Sequence, residues 1–175
     1  MEKIINGVKL KCVQGDIANQ RDVEAVANAA NAWLKPGGGV AGAIHRAAGP
    51  ELEKECEPLA PIKPGEAVIT SGCNLPNKYV IHCLGPVYGE DKPEDKLLAD
   101  CYKNALKIVE DYKISSIAFP AISTGAFGYP IKEAVEVTFD TILKIIPQLN
   151  YVKEIRFVLY TNKDYEIYKN KLSQL

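Results

Sequence analysis

The chain has 175 residues, 47% of them hydrophobic and 25% charged, with a formal net charge of −1. That length suits one domain with a core of its own, and the near-neutral balance argues against a broad electrostatic grip on nucleic acid or an anionic membrane. No apolar run approaches the roughly 20 residues of a bilayer span, and Met1–Asn6 lacks the long apolar region of a signal peptide.

Hydrophobic patterning alternates between strand-like and helix-like segments, the mark of a layered α/β domain. Val8–Gln14 alternates apolar and polar residues up to Gly15-Asp16 and predicts a strand, and Val23–Ala27 is a short buried run. A glycine-rich turn, Pro36-Gly37-Gly38-Gly39-Val40-Ala41-Gly42, leads into a helix predicted over Gly38–Ala48. Ala67–Ser71 and Tyr79–Leu84 predict two strands separated by the turn residues Asn74, Pro76 and Asn77. Leu97, Leu98, Cys101, Ala105, Ile108, Val109 and Tyr112 recur at helical spacing within Glu94–Tyr112. Ser116–Ile122 predicts a central strand that runs into a second glycine turn, Ser123-Thr124-Gly125-Ala126-Phe127-Gly128. A helix over Ile131–Ile146 stops at Pro147, Glu154–Tyr160 is a strand, and Asp164–Leu172 a closing helix. Gly85–Pro93 is the one loop long enough to suggest motion.

Each glycine turn stands where a strand hands over to a helix. Such a turn offers backbone N–H groups and the positive end of a helix dipole to anionic oxygens. Two of them in a small domain point to a diphosphate gripped from both sides. Gly37, Gly39 and Gly42 match the G-x-G-x-x-G spacing, but a long segment separates them from the preceding strand, which is the wrong context for a nicotinamide dinucleotide fingerprint. A Walker A lysine is missing as well. The five cysteines form no C-x-x-C pair, and His45 and His82 have no partner at ligand spacing; free thiols in a reducing compartment and no metal site are expected.

Asn28 and Asn31, in Asn28-Ala29-Ala30-Asn31, suit ribose hydroxyls, or they tie down their own loop through Asx turns. Asp16 either accepts from an exocyclic amine or caps a turn. Tyr160, at a strand end, either stacks on a planar base or packs in the core, and core packing is favoured from the residue alone. Phe127, flanked by small residues, is hard to bury locally. Trp33 is expected to be a packing anchor. His45, four residues after Ala41 and hence on its helical face, is expected to be structural.

Five motifs then coincide in order: Gln14-Gly15-Asp16-Ile17, Asn28-Ala29-Ala30-Asn31, Gly37-Gly38-Gly39-Val40, Tyr79-Val80-Ile81-His82 with Gly85-Pro86, and Ile117 through Gly125. Together they resemble the macrodomain family, and their spacing is similar to its MacroD-type branch. The resemblance covers nearly the whole chain, taken as one macrodomain over residues 1–175. It implies a three-layer α/β/α fold around a central mixed sheet, with a cleft for ADP-ribose. By the same resemblance Asp16 would accept from the adenine amino group, Ile17 would offer its N–H to the ring, and Tyr160 would stack on it. Gly38, Gly39 and Val40, beside Ala41, would hold one side of the diphosphate, and Ser123, Thr124, Gly125, Ala126 and Phe127 the other. Asn31 would bond the distal ribose, with Phe127 packed beside it; Ala29 would also contact the ligand, and Asn31 and Gly39 would carry the catalytic roles.

Many hydrolytic relatives have an aspartate directly after the Gly-Gly-Gly-Val run; this chain has Ala41. The implied activity is hydrolysis of mono-ADP-ribose from acidic side chains of proteins and of related esters such as O-acetyl-ADP-ribose, with neither cofactor nor metal. A non-catalytic ADP-ribose reader and an ADP-ribose 1″-phosphate phosphatase are the alternatives. ADP-ribose and mono-ADP-ribosylated proteins are the expected partners. A cytoplasmic monomer is expected, without membrane or nucleic-acid contact.

Overall fold

Seven strands form one mixed sheet in the computed structural model, which describes residues 1–175. They are β1 (Glu2–Ile5), β2 (Val8–Gln14), β3 (Ala25–Ala29), β4 (Ala67–Ser71), β5 (Tyr79–Cys83), β6 (Ser116–Phe119) and β7 (Glu154–Leu159). Their order is β1-β2-β7-β6-β3-β5-β4. The five inner strands run parallel and both edge strands antiparallel to their neighbours. The parallel interior explains why β6 and β7 are buried along nearly their whole length instead of alternating, because both faces of the sheet are covered.

Helices α3 (Glu94–Asp111), α4 (Ile131–Ile145) and α5 (Asn162–Ser173) cover one face; α1 (Gly39–Ala48) and α2 (Glu51–Cys56) cover the other. The first side buries Phe119, Phe139, Phe157, Tyr102 and Tyr168 as a continuous aromatic cluster. Each such ring stabilises the fold by about 2–3 kcal/mol through removal of apolar surface from water. The second side is smaller and is built from Val26, Leu34, Ile44, Leu52 and Val80. The result is the expected three-layer α/β/α arrangement around a mixed sheet. No helix is long and apolar enough to cross a membrane.

Several element boundaries move. The third strand is Ala25–Ala29 rather than Val23–Ala27, because Asn28 sits inside it, fully buried, with its Nδ2 bonded to a partner far along the chain and its Oδ1 left without one. Strand β6 ends at Phe119, not Ile122, since Pro120 cannot donate to a ladder. The short edge strand β1 and the six-residue α2 have no clear sequence signature. Trp33 is 61% exposed and anchors nothing in the core; Leu34 beside it takes the buried position. The Gly85–Pro93 loop is tied down: the Tyr88 N–H donates to the Phe127 carbonyl, the Tyr88 hydroxyl donates to Glu133, and the Val87 N–H donates to Asp91.

The five cysteines are unpaired thiols, four of them buried. Burial pushes those of Cys12 and Cys101 up to about 12, so neither is a nucleophile near neutral pH.

Asn28 is held by His82 across the β3–β5 pairing. The Asn28 amide donates from Nδ2 to His82 Nδ1 at 3.1 Å, which leaves the imidazole proton on Nε2, 2.9 Å from Thr70 Oγ1. The Thr70 hydroxyl donates in turn to the Ser71 carbonyl. Burial, with a smaller contribution from His45, depresses the His82 pKa to about 3. The unfolded chain takes up a proton at this residue below about 6.5 and the folded chain does not, so acid withdraws stability across that window. In an imidazole NMR titration His82 is expected to stay neutral, with flat shifts, down to pH 4.5; a titration midpoint near 6.5 would contradict this network.

Candidate functional site

The carboxyl ends of the parallel strands open onto a cleft of about 610 Å³. Strand β2 delivers Gly15, Asp16 and Ile17 to it, β6 delivers Pro120, Ala121, Thr124 and Gly125, and β7 delivers Tyr160. Helix α1 adds Gly39, Val40, Ala43 and Arg46. Ligands of open α/β sheets bind at such strand ends.

The glycine-rich turn that begins at Pro36, loop 1, enters α1 through Gly38, which has no side chain to cap the helix. The N–H groups of Gly38, Gly39, Val40 and Ala41 donate to no atom of the chain. They are the orphan donors of a helix N-terminus, and the dipole adds about half a positive charge there. Across the cleft, the N–H groups of Gly125, Ala126 and Phe127 are free as well. The turn that presents them is locked internally: the Tyr129 N–H donates to the Ser123 carbonyl, the Gly128 N–H to that of Gly125, and the Thr124 hydroxyl to that of Ala121.

Two glycines make these loops possible by close approach. A Cβ on Gly42 would lie 2.3 Å from the Gly37 carbonyl oxygen, so only glycine lets loop 1 fold down onto α1. A Cβ on Gly85 would lie 2.0 Å from Ser123 Oγ. Ser123 itself holds a left-handed φ of 68°, an uncommon conformation for a residue with a side chain.

At one end of the cleft Asp16 is exposed. Its Oδ1 accepts from the Ala18 N–H at 2.9 Å, capping a short 3₁₀ turn over Ile17–Asn19, while Oδ2 has no partner. The cap and an acceptor role for the second oxygen therefore coexist in one carboxylate. The Ile17 N–H beside it is free. Tyr160 is 85% exposed on the same wall. Core packing, the favoured reading of that tyrosine from sequence, is overturned, because β7 ends at Leu159 and the ring lies past the buried strand.

Asp16, Ile17, Gly39, Val40, Thr124, Gly125 and Tyr160 thus line one cleft. Ala29, Asn31, Gly38, Ala41, Ser123, Ala126 and Phe127 do not line this cavity. Ala41 and Ser123 are buried, and Phe127 packs partly against the α1-side core together with Val40. The Asn31 side chain closes an Asx-type turn, donating to the Lys35 carbonyl at 2.8 Å and accepting from the Lys35 N–H at 3.0 Å. It keeps one N–H and one lone pair for another partner.

Arg46, Ala43, Thr161 and Asp164 also line the cleft but were not singled out from sequence. Gly39, Ala43 and Arg46 follow the i, i+4, i+7 spacing of one helical face, a signal that identifies them once Gly39 is placed. Arg46 is the sole cationic side chain on this wall. Thr161-Asn162-Lys163-Asp164 is a capping sequence, and the Thr161 hydroxyl accepts from the Asp164 N–H at 3.1 Å. His45 lies on the opposite face of α1, buried, with Nε2 unpartnered and its pKa lowered by burial. It borders a separate cavity of about 300 Å³ that also touches Arg46, Gly37 and Glu53.

Comparison with known proteins agrees with this geometry. A "Macro domain-containing protein" of Methanosarcina mazei is 48% identical over 91% of this chain and 85% of its own length. An O-acetyl-ADP-ribose deacetylase of Cronobacter turicensis is 42% identical over 95% of this chain and 97% of its own. Among solved structures, the Oceanobacillus iheyensis macrodomain with ADP is similar at a TM-score of 0.94 and 43% identity, covering 99% of this chain and 95% of that one. The Macro domain family model matches residues 27–138. With that match over more than half of the chain, both glycine loops included, the chain belongs to the macro domain family.

Proposed function

We propose that this macrodomain binds ADP-ribose in the cleft and hydrolyses mono-ADP-ribose from acidic side chains of proteins, together with related esters such as O-acetyl-ADP-ribose. The observation that carries this reading is the pair of free amide rows, at Gly38–Ala41 and at Gly125–Phe127, on loops that border one cleft. Backbone donors fixed before the ligand arrives need no reorganisation to meet phosphoryl oxygens. Asp16 and Tyr160 at one end suit an adenine, through the free Oδ2 and a stackable ring. The names of the similar proteins, one a deacetylase of an ADP-ribose ester and one carrying ADP, support the same ligand class.

For catalysis, the clamped diphosphate fixes the distal ribose, and the remaining N–H and lone pair of Asn31 hold its hydroxyls. A water positioned between that ribose and a ligand phosphate attacks C1″: the new C1″–O bond forms as the bond from C1″ to the ester oxygen breaks, the acidic side chain leaves as its carboxylate, and the water's proton passes to the phosphate. Positioning of this kind lowers a barrier without a protein base. Gly39 contributes its backbone. A single macrodomain over 1–175, acting as a cytoplasmic monomer, completes the reading.

One observation favours a second reading, a non-catalytic reader. Ala41 is buried and apolar where many active relatives carry an aspartate, and the neighbouring turn offers no replacement carboxylate. Release of label from mono-ADP-ribosylated protein separates the two. The eraser reading predicts release by the wild type well above background and much less by Asn31→Ala; release at background would leave the reader.

Two binding predictions follow from the geometry. Asp16→Ala is expected to weaken ADP-ribose binding by about 1–3 kcal/mol in calorimetry, the loss of a hydrogen bond to a charged group; unchanged affinity would remove the adenine assignment. Gly42→Ala is expected to push the Gly37 carbonyl aside, misaim the loop 1 amides and cut affinity at least tenfold with the fold retained. Wild-type affinity in that variant would show that loop 1 is not part of the grip.

A further inference from the structure

Below the Asp16 turn lies a buried polar relay that links it to strand β7. Arg156 is buried, and all five of its N–H donors are used. Two meet the Asp22 carboxylate in a fork at 2.7 and 2.9 Å, two meet Glu154, and Nη1 also reaches Gln20 Oε1 at 2.9 Å. Gln20, itself buried, then donates from Nε2 to the Asp16 carbonyl at 2.9 Å. The Gln20 backbone carbonyl accepts from Asn77 Nδ2. Every polar group of the Gln20 side chain is thereby directed, one end by the guanidinium and the other by the Asp16 backbone.

The direction of this relay matters. A glutamine amide next to a backbone carbonyl can present either its oxygen or its nitrogen, and only the nitrogen is attractive. The Arg156 guanidinium accepts nothing, so it forces the amide oxygen toward itself and the NH₂ toward Asp16. The Asp16 carbonyl is held by that donor and by the Asn19 N–H, and its Oδ1 by the Ala18 N–H. With backbone and one oxygen fixed, the free Oδ2 has one direction left, on the cleft wall. An arginine in the body of β7 thus sets the aim of a carboxylate 140 residues earlier in the chain.

We propose that Arg156 and Gln20 are positioning residues for base recognition, fixing the Asp16 carboxylate so that the cleft selects an aminopurine over an oxopurine. The inference rests on the reading of Asp16 as the acceptor of the adenine amino group. Neither Arg156 nor Gln20 lines the cleft; both act through Asp16.

The test is calorimetry with ADP-ribose and with its hypoxanthine counterpart, in which a carbonyl replaces the exocyclic amine. The wild type is expected to prefer the adenine form by about tenfold, the scale of one charge-assisted hydrogen bond. Gln20→Leu is expected to bring the two ligands within about threefold, chiefly by weakening the adenine form. Gln20→Glu keeps the Arg156 contact but loses the donor to the Asp16 carbonyl, and it should lose the preference as well. Arg156→Lys, which cannot span Gln20 and Asp22 together, should do so in part, and in the Gln20→Leu background it should add nothing. A general weakening of the fold would instead lower both affinities equally. If Asp16→Ala abolishes the preference while both Gln20 variants retain it, or lose both ligands equally, the relay is overturned and the Asp16 reading stands. If wild type and Asp16→Ala share the same ratio, the Asp16 reading fails and takes the relay with it.

Discussion

The structure turns on one close approach, the Gly37 carbonyl resting against the bare Cα of Gly42. That contact folds loop 1 onto the first turn of α1 and leaves four consecutive N–H groups without protein partners. Unsatisfied donors are tolerable here because they face solvent or a ligand rather than a core. The opposite loop reaches the same condition by a different route. Its Ser123 and Gly125 carbonyls are bonded within the turn, Ser123 takes a left-handed backbone, and Gly85 leaves room beneath Ser123 Oγ. The sheet then sets the two loops facing each other, because β6 and β7 run parallel to β2 and β3 and all four release their chains at the same edge.

In the proposed reading, recognition and chemistry divide along the cleft. The base end is built from side chains whose settings are fixed elsewhere: Asp16 by its cap and the carbonyl bonds below it, Tyr160 by the end of β7. The phosphate region is almost wholly backbone, with Arg46 the one cationic side chain of the wall. The distal region is the sparest, because Ala41 is buried and Asn31 already spends half its hydrogen-bonding capacity on Lys35. Such a layout suits tight binding with chemistry that draws on the ligand's own groups.

Much of this was legible in the residues. Strands β2 and β4 have the bounds that alternation and flanking turn residues give them, and α3 follows its apolar spacing to within a residue. Both glycine turns and Asp16 lie where their motifs put them. What escaped depends on partners distant in sequence. Asn28 looked like a loop residue because its acceptor, His82, lies 54 positions on. Gln20 had no signal at all, since its role comes from Arg156, 136 residues away. Tyr160 was ambiguous because one residue decides whether a strand end is buried or wet. Trp33 followed the general habit of tryptophan, whereas locally Leu34 fills the core position.

The central claim is that both amide rows grip one diphosphate. Amide NMR shifts during titration with ADP-ribose test it most directly. The account predicts large, saturable shifts at Gly38–Ala41 and at Gly125–Phe127 that follow a single binding curve. Shifts confined to one loop, or two curves with different midpoints, would contradict it.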